Sequence, residues 1–184
     1  MIIGVCGTFA AGKDTVAEYI ESKGFTHVSS GDVVRQYIRD NNLGGLDRDN
    51  LRHVANSTRA EKGGDFFVRH AIETGPRPLV ISGLRSSEEV AAVKKEGGVI
   101  IGVDAPVTRR YNWAKSRGRI DDSITEEKFK EQELAEESDK PTDCQITVVM
   151  GMADYDIAND GTLEELYANV DEVLKRLTPQ GAGQ

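Results

Sequence analysis

Short apolar runs alternate along the chain with longer stretches in which apolar residues recur every three or four positions. "MIIGVC" is continuously apolar and predicts a buried strand, whereas "KDTVAEYIESKG" has helical periodicity ending at Gly24. "THVSS" predicts a second short strand and "DVVRQYIRDNN" a helix, with "DRDNLRHVANSTRAEKGG" and "DFFVRHAIETG" extending the helical pattern. Three more strand signals follow, in "PLVIS", "VIIGVDAP" and "ADYDIAND". The helical segments "SSEEVAAVKKEGG", "VTRRYNWAKSRG" and "TEEKFKEQELAEES" separate them, and "TLEELYANVDEVLKRL" predicts a closing helix. "ITVVM" fits either a strand or a helix end, and "TPQGAGQ" (178–184) predicts a flexible tail. Strands that are apolar throughout, with helices between them, imply an α/β fold in three layers: a five-stranded parallel sheet covered on both faces.

Composition narrows the partners. The 184 residues suit one domain, and no internal repeat is visible. A net charge of -8 argues against a general nucleic-acid or anionic-membrane surface, which needs a basic excess. An anionic substrate must therefore be met by local arginines. No stretch is long and apolar enough to span a bilayer, and "MIIGVC" is too short for a signal-peptide core. Cys6 and Cys144 stand far apart without metal-ligand spacing, the pattern of reduced thiols in a cytoplasmic protein. The expectation is a cytoplasmic monomer or homodimer whose partners are small molecules.

The most specific chemistry lies in "GTFAAGKDT", Gly7 to Thr15, between the first strand and the first helix. It fits the phosphate-binding pattern G-x-x-x-x-G-K-[ST] except that Asp14 replaces the Ser or Thr. Gly7 and Gly12 permit the backbone angles that turn successive N–H groups toward one anion. The helix start adds its positive dipole end, and Lys13 can reach the outer phosphates. ATP is thus expected against Gly7, Ala10, Ala11, Gly12, Lys13, Asp14 and Thr15. Asp14 offers Mg²⁺ a charged oxygen ligand, with the Thr15 hydroxyl one position later. Alternatively, Asp14 only neutralises the helix N-terminus.

"SSGDVVR" (Ser29 to Arg35) resembles the "STGDxxR" segment of adenylate kinases, and "LVISGLRSSEEV" (Leu79 to Val90) resembles the third-strand segment of small phosphate kinases. "VDAPVTRRYNWAKSRGR" is similar to their lid-side helix, and "ADYDIANDGTLEEL" to the last strand and base-contacting turn of dephospho-CoA kinases and archaeal adenylate-kinase-like proteins. The chain therefore resembles the small P-loop kinases of the adenylate kinase, nucleoside monophosphate kinase and dephospho-CoA kinase group. That resemblance implies that Arg35 and Arg85 bind the acceptor phosphate, with Asp32 near the metal and the transferring phosphate. Arg117 takes the phosphate-clamp role, with Arg119 close behind, and Asn159 and Gly161 lie at the donor base. It also implies an acceptor-binding segment at about 30–75 and a lid at about 109–145.

Two departures stand out. The family's third-strand aspartate is Ser82 here, so the missing carboxylate may be read as transferred to Asp14. "GKD" loops also occur in phage deoxynucleotide kinases and phosphomevalonate kinases. Trp113 stands where the family often carries an arginine packed on the donor base; its indole either stacks on a purine or packs within the protein.

A monophosphate acceptor is largely dianionic near neutral pH and needs no strong base, which suits a site of arginines and one lysine. A sugar hydroxyl, as in dephospho-CoA, benefits from a general base, and Asp32 is the placed residue. His27, His53 and His70 are expected to be structural and without partners, and Arg52 and Arg59 to be surface helix residues. The expected activity is transfer of the γ-phosphoryl group of ATP·Mg²⁺ to a nucleoside or deoxynucleoside monophosphate. Dephospho-CoA kinase is the alternative. Ser82 leaves open a third reading, a nucleotide-binding regulator with little or no hydrolysis.

Overall fold

The computed structural model describes residues 1–118, 124–136 and 144–177. The expected alternation is present: β1 (Ile2–Gly7), α1 (Lys13–Ser22), β2 (Thr26–Ser29), α2 (Ser30–Asp40), α3 (Arg48–Lys62), α4 (Phe66–Thr74), β3 (Leu79–Leu84) and α5 (Ser87–Lys95). The second half continues with β4 (Val99–Asp104), α6 (Val107–Ser116), α7 (Glu126–Glu136), α8 (Ile146–Gly151), β5 (Tyr155–Ala158) and α9 (Leu163–Leu177). The sheet has five strands in the order β2-β3-β1-β4-β5, and every pairing is parallel.

The apolar strands are explained by burial on both faces. Ile2 and Cys6 of β1 enter one core with Ile81, Val34, Phe67 and Val93, under α2, α4 and α5. Ile3 and Val5 enter the other with Val80, Val16, Ile20 and Val170, under α1 and α9. "ITVVM" resolves as a helix, α8, because the sheet ends at β5 and Val149 is needed to cover β1: it is fully buried in the first core. The serine pair after β2 divides differently from expectation. Ser29 is the N-cap of α2, its Oγ accepting from Asp32 N at 3.1 Å, so Ser30 already belongs to the helix. The tail 178–184 lies outside the described residues, as does part of the expected lid. No helix among the described residues is long and apolar enough to cross a membrane.

The Cys6 thiol is fully buried below the phosphate loop, and burial pushes its pKa up to about 11, offset in part by the Lys13 charge. The thiolate is the reactive form and is scarce at every pH well below 11. Cys6 is therefore expected to resist alkylation at pH 8 in the folded protein and to react once denaturant exposes it. Intact and peptide mass spectrometry checks this, and fast labelling of folded Cys6 would contradict the burial.

Candidate active site

Parallel pairing brings all five carboxyl ends of the strands to one edge, the usual position for a ligand in such sheets. β1 feeds the phosphate loop there. A Cβ on Gly7 would lie 2.1 Å from Val103 O, so close packing of β1 on β4 requires glycine. Gly12 sits at φ 98°, left-handed, and a Cβ there would lie 2.5 Å from Asn159 Nδ2. That amide donates to Ala11 O at 2.9 Å, so Asn159, at the end of β5, holds the loop from beneath. Ala10 also turns left-handed, at φ 60°. Ala11 N closes a turn onto Thr8 O at 3.3 Å. The N–H groups of Phe9, Ala10 and Gly12 have no hydrogen-bond acceptor among the described residues. Lys13 Nζ donates to Gly7 O at 3.0 Å and Thr8 O at 2.6 Å, curling over the same loop. Unpaired amides, a lysine ammonium and the start of α1 are the elements of an anion cradle.

Asp14 and Thr15 occupy the first turn of α1 and are half-buried. No cluster of three or more His, Cys, Asp or Glu residues among the described ones could hold a metal. A cation here would take one or two protein oxygens, from Asp14 or Thr15, and complete its shell with phosphate oxygens and water, the habit of Mg²⁺. Ser82, 1% exposed, lies within β3 opposite Val5. Its hydroxyl is 2.9 Å from His27 Nε2. His27 thus has a partner, contrary to the sequence expectation, because parallel pairing of β2 with β3 brings together residues 55 positions apart.

On the other side of β1, α2 and the β3–α5 turn face each other. Ser30 Oγ donates to Gly83 O at 3.1 Å. Asp32 Oδ1 accepts from Arg35 Nη1 at 2.8 Å, with the two side chains 69% and 43% exposed. An exposed pair of this kind contributes about 0–1 kcal/mol, so either partner exchanges readily for a ligand. Arg85 is exposed just past β3, and its backbone N donates to Glu89 Oε2 at 2.7 Å. Glu89 is only 1% exposed and pairs with Arg59 at 3.1 Å. Arg59 is therefore no free surface arginine: it ties α3 to the turn that carries Arg85, and its guanidinium lies over Phe67. Glu88 adds a second tie by accepting from Gly64 N at 2.7 Å.

The side of the site formed by α6 differs most from the sequence reading. Arg117 is exposed at the C-terminal end of α6, and Arg119 lies outside the described residues. The arginine that reaches the loop is Arg110, 7% exposed, which donates to Ala105 O at 2.9 Å and Phe9 O at 3.1 Å and pairs with Glu133 of α7. Its spacing, four residues before buried Ala114, was the available signal. Arg109 donates to Gly161 O at 2.9 Å and braces the turn after β5. Trp113 is half-buried and packs against the core formed with Ala105 and Ile157. Two open depressions of about 370 and 400 Å³ flank that turn, sharing Ala158 and Asp160 as walls. Asn159 and Gly161 line the first, and Arg110 lines the second.

Comparison with known proteins agrees with this architecture. An AAA domain family model matches residues 3–137. The UPF0200 protein of Thermococcus kodakarensis is 34% identical over 96% of this chain and 100% of its own length. That of Methanoculleus marisnigri is 30% identical over 96% of each chain. Among solved structures, TT1252 from Thermus thermophilus superposes with a TM-score of 0.64 at 20% identity, covering 97% of this chain and 98% of its own. Shikimate kinase from Aquifex aeolicus gives 0.60 at 17%, covering 98% and 100%, and dephospho-CoA kinase from Campylobacter jejuni 0.53 at 13%, covering 96% and 97%. These likenesses show the fold, the α/β fold of the P-loop kinases. With its AAA domain and its full-length relatives, the chain belongs to the UPF0200 family.

Proposed function

We propose that the protein is an ATP-dependent phosphotransferase that moves the γ-phosphoryl group of ATP·Mg²⁺ to a nucleoside or deoxynucleoside monophosphate. One observation carries the donor half: the unpaired amides of Phe9, Ala10 and Gly12 stand beside Lys13 at the start of α1. Phosphate oxygens would replace the Gly7 and Thr8 carbonyls as partners of Lys13 Nζ, and the amides would bind the same anion. Mg²⁺ bound beside Asp14 or Thr15 would neutralise charge on the phosphates. The base would lie along the turn after β5, against Gly161 or Trp113.

The acceptor half rests on Arg35 and Arg85, which follow neighbouring strands whose ends are in register at Ser29 and Ser82. A guanidinium fork matches phosphate oxygens, and a monophosphate needs no base. Arg117 and Arg119, on the lid side, would close over the transferring group. A second reading is a hydroxyl acceptor such as dephospho-CoA, with exposed Asp32 as base. It is supported by structural neighbours that carry the names shikimate kinase, gluconokinase and dephospho-CoA kinase. The paired exposed arginines speak for the first: Arg35 and Arg85 follow adjacent strands and suit a phosphate, whereas Asp32 is held only by an exposed pair that either acceptor could displace.

The test is a coupled ADP-release screen against all ribo- and deoxynucleoside monophosphates and dephospho-CoA. Turnover with at least one monophosphate, exceeding that with dephospho-CoA, is expected. Turnover with dephospho-CoA alone would move the assignment to the second reading, and ATP binding without transfer to the regulator. With the acceptor in hand, Arg35→Ala should raise the acceptor KM by about 10- to 100-fold, the loss of one charge-assisted hydrogen bond or two. The ATP KM should stay nearly unchanged, and a change confined to ATP would remove Arg35 from the acceptor site.

A further inference from the structure

We propose that Arg110 is a positioning residue through which helix α7, by way of Glu133, sets the geometry of the phosphate loop. The inference rests on the reading of that loop as a nucleotide cradle. Arg110 enters the loop region from α6, and its guanidinium reaches three separate parts of the chain. Nε donates to Ala105 O at 2.9 Å, which secures the start of its own helix. Nη1 donates to Phe9 O at 3.1 Å, in the middle of the phosphate loop, and also pairs with Glu133.

The Glu133 contact is what an ordinary bracing arginine would lack. A guanidinium with a side chain only 8% exposed requires a counter-charge. Asp104 is a poor one: its Oδ1 is 4.0 Å from Nε, its side chain is 58% exposed, and the same oxygen accepts from Thr8 Oγ1 at 2.6 Å. Glu133, half-buried, is the close partner, and it comes from a different helix. When α7 is docked, the guanidinium is neutralised while it holds Phe9 O. When α7 moves off, a buried cation is left without its carboxylate, and the bond to Phe9 O is weakened or re-aimed.

Apolar contacts run in parallel with the ionic one. Phe129 of α7 is buried and packs with Ala10 and Ala114, its ring 5.6 Å from that of Phe9 and 6.0 Å from that of Tyr111. Tyr111 Oη donates to Ile124 O at 2.8 Å, tying the segment before α7 to α6. Helix α7 therefore buries Ala10 and touches one side of the still exposed Phe9, two of the residues whose amides lack an acceptor. Docking of α7 thus acts on the groups proposed to receive phosphate, through one ion pair and one aromatic contact.

The test uses the full chain and two readouts. In nucleotide-free protein, Glu133→Ala should shift or broaden the backbone amide resonances of Thr8 to Gly12, while those of β3 and α9 stay in place. By calorimetry, the same change should weaken binding of a non-hydrolysable ATP analogue about tenfold, within the usual range of coupling between sites. Glu133→Gln, which keeps an acceptor oxygen, should fall between. The double variant Arg110→Lys with Glu133→Ala should bind the analogue no worse than Arg110→Lys alone, since both changes cut one link. Loop resonances unchanged in Glu133→Ala, or additive losses in the double variant, overturn the proposal. If the unsubstituted protein binds no analogue, the nucleotide reading fails by itself, and the resonances still decide whether α7 sets the loop.

Discussion

Lys13→Ala is expected to lower phosphoryl transfer by about 10²- to 10³-fold, the typical loss when one preorganised charge or donor is withdrawn from a transition state. The ammonium already stands at the loop, bonded to Gly7 O and Thr8 O. Losing those bonds should leave the fold intact. The residue is half-buried, contributes no side chain to either core, and opens α1 rather than filling its interior. Two hydrogen bonds from a part-buried ammonium to loop carbonyls are worth about 1–2 kcal/mol each, so the melting temperature should fall by roughly 5–15 °C while the protein stays folded at 25 °C. Turnover at saturating ATP, set beside a circular-dichroism melt, separates the two effects. A folded Lys13→Ala protein with near-normal turnover would take the cradle out of the mechanism. Lys13→Arg should rescue little, because a planar fork does not replace a compact ammonium at the end of a flexible stem.

The elements were readable where burial was simplest. β1, β3 and β4 are largely apolar because helices cover both faces, and the 3.6-residue period marks α9 as plainly. "ITVVM" was unreadable because five residues are too few to separate the two periods; only the completed sheet leaves it as a helix. The phosphate loop was legible since glycine spacing, strand and helix are all local in sequence. What the sequence did not show are partners made by the fold. Arg59 reads as a surface helix residue until α3 packs on α4 and Glu89 of α5, thirty positions on, takes its charge. His27 looked unpartnered until β2 lay beside β3. Motif matching drew the eye to Arg117, whereas the arginine at the loop is Arg110, whose partners lie on three other segments. The acceptor is illegible for a chemical reason: Arg35 and Arg85 are exposed, and a guanidinium accepts any phosphate or carboxylate of suitable shape.

Asp14→Ala is expected to raise the Mg²⁺ concentration needed for half-maximal activity roughly tenfold, the low end of losses seen when groups around a metal are removed. Ser82 is buried beside His27, at the third-strand position where the small P-loop kinases that the sequence resembles carry an aspartate. A site that lacks that carboxylate and has Asp14 in its phosphate loop holds one acid in either arrangement. Ser82→Asp alone should lower activity, because two carboxylates would then share one cation and one of them would be buried. Asp14→Ser together with Ser82→Asp should recover most of the Mg²⁺ response, since the pair restores a hydroxyl in the loop and a carboxylate on β3. The quantity that decides is the interaction between the two changes, expected at about 0.5–3 kcal/mol for residues that share a partner. Titrating Mg²⁺ at fixed ATP for the four proteins measures it. Simple additivity, with no recovery in the double variant, would mean that Asp14 and Ser82 answer to different groups. Asp14 would then be a carboxylate that balances the positive end of α1, and the cation would depend on Thr15 and the phosphates.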